Sequence, residues 1–372
     1  MNDPIAIVEP QMDGIFHAPF NAALVHAVVL AYPDDPVTFA APESHADAVR
    51  QILSERAPDL LHRVGWRLLN HSGGSSISSR WLQNRRNLKR VLASSHRILF
   101  TSISRMQLSI LKPLIRPKDR VRAVLHGDID QIEFPPREGF PGSLFSLHRV
   151  FHRPHPPGLR YLLLSRSIRD NIPASFESVL SNCGVIAHPY HFPPIPPAAS
   201  GPAIFGTFGN TGDGLLLGAV AREVHRRDPS ITLRLVGFVR NQAAVDLLAP
   251  FVEDVGCVPL PRALFLERAR AITHALWVAP PQSFRLRASG TFFDALAFGK
   301  PLVYVANPFI DRYFEQAPGI GVRCERVEDL PDAVVALSAA HTPETYARAQ
   351  AEIAAFRGRF SPESVGMQLQ SD

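Results

Sequence analysis

The sequence predicts an α/β chain of two doubly wound domains, and three observations lead there. At 372 residues the chain exceeds the roughly 250 to 300 residues that one core usually fills. Short apolar runs alternate with helical patterns in each half, the rhythm of parallel sheet wrapped by helices. Between the halves, Phe192 to Pro202 holds Pro193, Pro194, Pro196, Pro197 and Pro202, a run that cannot donate a hydrogen-bond ladder and favours extended polyproline geometry.

In the first half the pattern predicts a strand at Ile5 to Val8, a helix from about Asn21 to Ala31 and a strand at Val37 to Ala40. A helix near Glu43 to Ser54, a strand at Ile98 to Thr101, a helix near Ser104 to Ile115 and a strand at Val121 to Leu125 continue it. After the proline run the alternation restarts: strand Ala203 to Phe205, helix Leu215 to Arg227, strand Ile231 to Val236, helix Ala243 to Leu248, strand Ala275 to Val278, helix Thr291 to Phe298 and strand Leu302 to Val305. Thr342 as N-cap and Pro343 at the first helical position start a C-terminal helix to about Arg357. The expected division is an N-terminal domain over 1–187, a linker over 188–202, a second domain over 203–341 and a helical tail over 342–372. Two such domains facing across a cleft would bind ligand at their strand C-terminal edges.

Composition narrows the class. Hydrophobic residues at 46% and charged residues at 20% exclude disordered, collagen-like and coiled-coil chains. Cys183, Cys257 and Cys324 are odd in number and widely spaced, which fits neither a zinc site nor a disulfide framework and suits a reducing cytoplasm. The N-terminal residues show no signal-peptide pattern and no apolar run reaches about 18 residues, so a soluble or peripheral protein is expected.

Two segments suit an anion. In Arg285-Leu286-Arg287-Ala288-Ser289-Gly290-Thr291-Phe292-Phe293-Asp294, Ser289 is a good N-cap, Gly290 permits close backbone approach, and the first free amides of the helix point at an anionic ligand. Asp294 lies one turn in, within reach of a ribose diol, and Gly299 ends the helix as a left-handed residue before Pro301. The same residues also serve a plain capped helix before a strand. The second segment, Gly206-Thr207-Phe208-Gly209-Asn210-Thr211-Gly212-Asp213-Gly214, reads as a glycine-rich turn whose amides approach a diphosphate. It matches neither the Walker nor the dinucleotide spacing, and a simple tight turn reads the same way.

Together the proline hinge, the glycine-rich turn and the Ser289 to Pro301 element resemble GT-B-fold glycosyltransferases, the group-1 glycosyl transferases in particular. The resemblance covers about Ala203 to Ala340 and implies two Rossmann-like domains, the second binding a nucleotide-diphosphate-sugar, with Asp294-Ala295-Leu296-Ala297-Phe298-Gly299-Lys300-Pro301 carrying the ribose carboxylate. It implies donor contacts from Gly206, Thr207, Gly209, Asn210, Ser289, Gly290, Thr291 and Asp294. Two departures stand out: Leu286 occupies the place of a glutamate in retaining members, and Thr207 and Asp213 stand roughly where those carry arginine and lysine. Arg240, Arg285 and Arg287 are expected to supply the positive charge to the diphosphate.

Transfer of a sugar needs a stabilised leaving group and, for inversion, a base for the acceptor hydroxyl. Candidates beyond strand ends of the first domain are Asp13, His17, His126 and Asp128; Glu9-Pro10 and Gly14 lie in the same places. Asp128-Ile129-Asp130 matches the DxD motif of the other large glycosyltransferase fold, which the double βαβ pattern opposes, so no metal and no cofactor are expected. His148 and His152 have metal-ligand spacing, but Pro154, Pro156 and Pro157 follow and a polar loop is the simpler reading. His188 and His191 flank the proline run and are expected to order it.

The formal net charge of +5 conceals a strong polarity. Arg63 to Arg122 holds fourteen Lys or Arg against Asp119 alone, a net +13, while Met1 to His62 is net −7. The basic segment is interleaved with Trp66, Trp81, Leu108 and Leu111, as a surface facing anionic lipid would be. A partnerless solvated face gives the same pattern, and no nucleic-acid motif accompanies it. The reading is a metal-independent glycosyltransferase of polysaccharide biosynthesis, cytoplasmic and peripheral at the inner membrane face, with a glycan or lipid-linked acceptor. A nucleotide-sugar 2-epimerase-like enzyme and a degenerate, non-catalytic nucleotide-sugar-binding protein are the alternatives. The residues fit uridine, guanosine or adenosine donors, and either stereochemical outcome.

Overall fold

A computed structural model describes the chain except residues 1, 2, 71–75, 134–138, 141, 177, 178, 180, 198–200, 281 and 372. Positions 198–200 of the expected linker therefore lie outside the described residues. The chain forms two compact units, the first comprising Met1–His191, Arg285–Ala288 and Arg359–Asp372, the second Phe192–Phe284 and Ser289–Gly358. Both differ from simple halves: a four-residue piece of the later sequence and the C-terminal tail fold with the first unit.

The first unit is built on β1 (Ile5–Val8), β2 (Val37–Ala41), β3 (Val64–Leu68), β4 (Arg97–Phe100), β5 (Arg120–Val124), β6 (Leu159–Leu163) and β7 (Cys183–Val185). All pair in parallel, in the order β3-β2-β1-β4-β5-β6-β7. Its helices are α1 (Ala18–Ala31), α2 (Glu43–Arg56), α3 (Ile77–Ser94), α4 (Arg105–Leu111), α5 (Leu147–His152) and α6 (Arg166–Asn171). Helix α1 begins three residues before the expected Asn21, because Pro19 suits a first turn. Helix α4 stops at Leu111 and tightens into a 3₁₀ turn at Lys112–Leu114, where Pro113 removes an amide. Helix α1 is apolar around its circumference, with eleven of its residues buried, and such a helix needs cover on both sides.

The tail supplies that cover. Tyr32 hydroxyl donates to Leu369 O (3.0 Å), Gln370 Nε2 to Ala31 O (2.6 Å), and a Cβ at Gly366 would come within 2.9 Å of Ala27 O.

The second unit has β8 (Ile204–Asn210), β9 (Thr232–Phe238), β10 (His274–Trp277), β11 (Leu302–Val305) and β12 (Gly321–Cys324) in the parallel order β12-β11-β10-β8-β9. Its helices are α7 (Leu215–Arg227), α8 (Gln242–Leu248), α9 (Arg262–Ala271), α10 (Gly290–Ala297), α11 (Pro308–Phe314), α12 (Leu330–Ala339) and α13 (Pro343–Arg357), and α14 (Pro362–Ser371) is the tail helix of the first unit. Strand β8 is four residues longer than its apolar run suggested, since pairing with β9 continues from Ile204↔Thr232 to Asn210↔Phe238. Glycine at 237 makes this close pairing feasible, because a Cβ there would run into the Gly209 carbonyl.

Each sheet has one place where strand order reverses, and open α/β sheets bind ligands outside the strand C-termini at such switch points. In the first unit it lies between β1 and β4, and in the second between β8 and β10.

Candidate functional site

At the β1/β4 switch point the chain leaves β1 at Glu9, whose side chain is fully buried. An isolated buried carboxylate would be costly, and this one is met by five donors. Glu9 Oε1 accepts from Gln11 N (2.9 Å), Met12 N (3.0 Å) and Ser102 Oγ (2.6 Å), and Oε2 from Thr101 Oγ1 (2.8 Å) and Asn21 Nδ2 (3.2 Å). Asn21 Nδ2 also donates to His45 Nε2 (2.7 Å), while His45 Nδ1 donates to Gly14 O (2.9 Å). Those two bonds fix His45 as neutral with its proton on Nδ1. The loop from Pro10 to Gly14 is thereby pinned from below, and Gln107 Nε2 adds a bond to Pro10 O (3.2 Å).

The pinned loop delivers His17 to the N-cap position of α1 with φ of +59°, a left-handed conformation uncommon for a side-chain-bearing residue. His17 stacks on His126, ring centroids 4.1 Å apart, and His126 meets His188 edge-on at 5.8 Å. Phe20 closes the cluster against both His126 and His188. Burial lowers the His17 imidazole below its ordinary value, with Glu9 pulling it back up and His45 pushing it down. His126 lies well below the usual range, through burial first and then the charges of His17, His188 and Arg287. Burial takes His188 down to about 3. All three rings are neutral at pH 7, and only His17 has an anion opposing the loss of basicity. His17 Nδ1 is buried without a hydrogen-bond partner among the described residues.

At the β8/β10 switch point the turn from Thr211 to Gly214 follows β8, with Gly209, Gly212 and Gly214 at φ of +76°, +66° and +71°. Arg240, just past β9, donates its backbone N–H to Gly212 O (2.7 Å). Its side chain is exposed and has no ion-pair partner among the described residues. Asp213 Oδ1 accepts from Leu215 N (3.2 Å) and so occupies the first amide of α7. Helix α10 starts differently: Ser289 Oγ accepts from Phe292 N (3.4 Å) and Trp277 Nε1 (3.1 Å), and Thr291 Oγ1 donates to Phe208 O (3.3 Å), tying the helix start to the end of β8. Asp294 is half-buried one turn in, and Gly299 closes the helix at φ of +63°.

No protein-family model matches the chain, and no curated protein matches its sequence. Solved structures do match along its whole length. HepE of Anabaena, in a crystal structure with UDP and glucose, is 12% identical with a TM-score of 0.67, covering 100% of this chain and 99% of its own. A glycosyltransferase from Rickettsia africae ESF-5 is 11% identical with a TM-score of 0.64 (100% and 98% covered), and TarM is 9% identical with a TM-score of 0.61 (100% and 98%). The chain has the GT-B fold.

Within this GT-B chain, the expected residues fall into three sets. His17 and His126 are brought together at the first switch point, and Ser289, Gly290, Thr291 and Asp294 open α10 beside the end of β8, where Gly209 and Asn210 lie. Gly206 and Thr207 are a correction: they sit inside β8, opposite Arg234 and Leu235, instead of in a turn. Asp13 is exposed and bound to the Ser44 hydroxyl, and Asp128 accepts from Arg105 N (3.2 Å) and Gln131 Nε2 (3.2 Å). Arg285 and Arg287 fold with the first unit, paired with Glu133 (3.3 Å) and Asp130 (2.9 Å). Their charge already has protein partners, in contrast to the open Arg240. Helix α5 carries His148 and His152, whose rings stack at 4.4 Å, and no cluster of three metal-ligating groups occurs among the described residues.

The residues not singled out beforehand as site groups are Asn21, His45, Thr101, Ser102 and His188, together with the buried role of Glu9. One signal was present: Glu9 is an acid directly abutting the wholly apolar Ile5–Val8.

Proposed function

We propose that this chain is a glycosyltransferase that moves a sugar from a nucleotide-diphosphate-sugar to a hydroxyl acceptor. The observation that carries the reading is the neutral His17 held at the β1/β4 switch point of a GT-B chain. Support comes from the second unit, whose glycine turn, α10 start and open Arg240 suit a diphosphate, and from the UDP and glucose bound by the GT-B protein HepE.

In this mechanism His17 takes the proton from the acceptor hydroxyl. The acceptor oxygen bonds to the anomeric carbon as the bond from that carbon to the diphosphate oxygen breaks, and its electron pair leaves with the nucleoside diphosphate. Arg240 and the amides at the start of α10 stabilise the departing charge, while Asp294 takes the ribose diol. His126 and His188 pack behind His17 and fix its ring. The nucleotide-sugar is a substrate, no cofactor takes part, and the guanidinium serves in place of a divalent ion. His17→Ala, assayed for transfer and for nucleotide affinity, tests the assignment: transfer is lost while nucleotide affinity stays.

The acceptor side favours a lipid-linked or otherwise apolar-bodied glycan. Ile15 and Phe16, on the pinned loop next to His17, are 54% and 53% exposed. Helix α3 adds Arg80, Arg85, Arg86, Lys89 and Arg90 with no acid, and its Trp81 and Leu82 are exposed. No helix among the described residues is long and apolar enough to cross a membrane. We read α3 as the surface that holds the enzyme at an anionic bilayer, on the cytoplasmic side. Flotation with phosphatidylglycerol vesicles, and its loss in Arg86→Glu/Arg90→Glu, is the corresponding test.

A further inference from the structure

Glu9 belongs to none of the steps above, yet its buried carboxylate accepts five hydrogen bonds. Its two oxygens hold three separate pieces of chain: the loop amides of Gln11 and Met12, the β4 exit at Thr101 and Ser102, and Asn21 on α1. Asn21 is also the residue whose backbone N–H donates to His17 O (2.9 Å), closing the first turn of α1. Through Asn21 the same carboxylate orders His45, which holds Gly14 O at the other end of the loop. Gln11, Met12 and Asn21 are thus tied to Glu9 directly and Gly14 through Asn21 and His45, while Ser44 Oγ on Gly14 N (3.3 Å) and Gln107 Nε2 on Pro10 O (3.2 Å) hold the loop beside them.

Charge points the same way. The titratable groups facing His17 are Glu9 from β1, His45 from α2, and His126 and His188 from the segments after β5 and β7. Glu9 is the one anion among them.

We propose that Glu9 is a positioning residue for transfer: its buried carboxylate holds the His17 loop in its left-handed conformation and steadies the imidazolium that forms when His17 takes the acceptor proton. This rests on the glycosyltransferase reading, and its test separates the two. Glu9→Gln keeps the shape and removes the charge; Glu9→Asp keeps the charge and shortens the reach. In Glu9→Gln the acid limb of the kcat/KM profile moves to lower pH by about one unit, as loss of an opposite charge requires, and kcat falls about tenfold with donor KM unchanged. The His17 imidazole followed by NMR shifts the same way, with or without catalysis. In Glu9→Asp kcat falls and the acid limb stays in place. Titration of His17 at the same pH in Glu9→Gln as in the wild type would overturn the proposal. A wild-type protein that turns over no nucleotide-sugar, while its His17 titration still responds to Glu9→Gln, would overturn the parent reading instead.

Discussion

His17 pairs an uncommon backbone conformation with a suppressed but recoverable basicity, and residues at φ near +60° outside glycine persist where the surroundings hold them. Replacing it by Ala removes the proposed base while relieving that strain little. We expect a loss of about 10²- to 10⁴-fold in kcat with nucleotide affinity unchanged, measured by steady-state transfer and calorimetry. Arg240 gives a complementary prediction. A hydrogen bond to a charged group contributes about 1.5 to 3 kcal/mol, so Arg240→Ala raises the Kd for nucleoside diphosphate by about tenfold or more. Arg285→Ala and Arg287→Ala change it less, since Glu133 and Asp130 already hold those side chains. Equal effects from all three would contradict the assignment of the diphosphate to Arg240.

At the scale of elements, the strands legible in the sequence were those rich in apolar and β-branched residues: β1, β2, β4, β5, β9, β10 and β11 all lie within a residue or two of the expected positions. Strand β3, Val-Gly-Trp-Arg-Leu, escaped because it mixes polar residues into a sheet edge. The length of β8 escaped because a glycine-rich sequence reads locally as a turn, and only pairing with β9 shows that it is strand. Of the candidate site, His17 and His126 were legible one residue at a time, whereas the residues that hold the His17 loop were not. Glu9, Asn21, His45 and Ser102 come from four separate stretches, and parallel pairing of β1 with β2 and β4 is what brings them together. Arg285 and Arg287 read as donor ligands because their carboxylate partners lie about 150 residues earlier.

Lys300, next to the glycine that ends α10, shows the same limit: buried and held down to about 8, its Nζ donates to the carbonyls of Arg270 and Ile272 at the end of α9. Lys300→Met leaves those carbonyls short of a donor and costs about 1 to 3 kcal/mol in urea unfolding. Gly237→Ala, which forces a Cβ onto the Gly209 carbonyl, costs about 3 kcal/mol or more.

For the molecule as a whole, the buried neutral histidines set the response to acid. Burial holds His188 and His191 at about 3 and His274 at about 4, whereas in the unfolded chain each titrates near 6.5. Between those values the unfolded chain binds more protons, so stability is fully present above about 6.5 and falls as pH drops toward 3. Chemical denaturation at pH 7, 5.5 and 4.5 should show that progressive loss, and a flat profile would mean the rings are solvated.

The central claim is that this GT-B chain transfers sugar without metal, and acceptor-dependent nucleotide release tests it most directly. The protein is incubated with UDP-, GDP- and ADP-sugars in the presence of EDTA, with and without a lipid-linked glycan acceptor, and free nucleoside diphosphate is measured. The account predicts release from at least one donor that rises sharply with acceptor and persists in EDTA. Release independent of acceptor, as an epimerase-like reaction would give, release abolished by EDTA, or binding without release would contradict it.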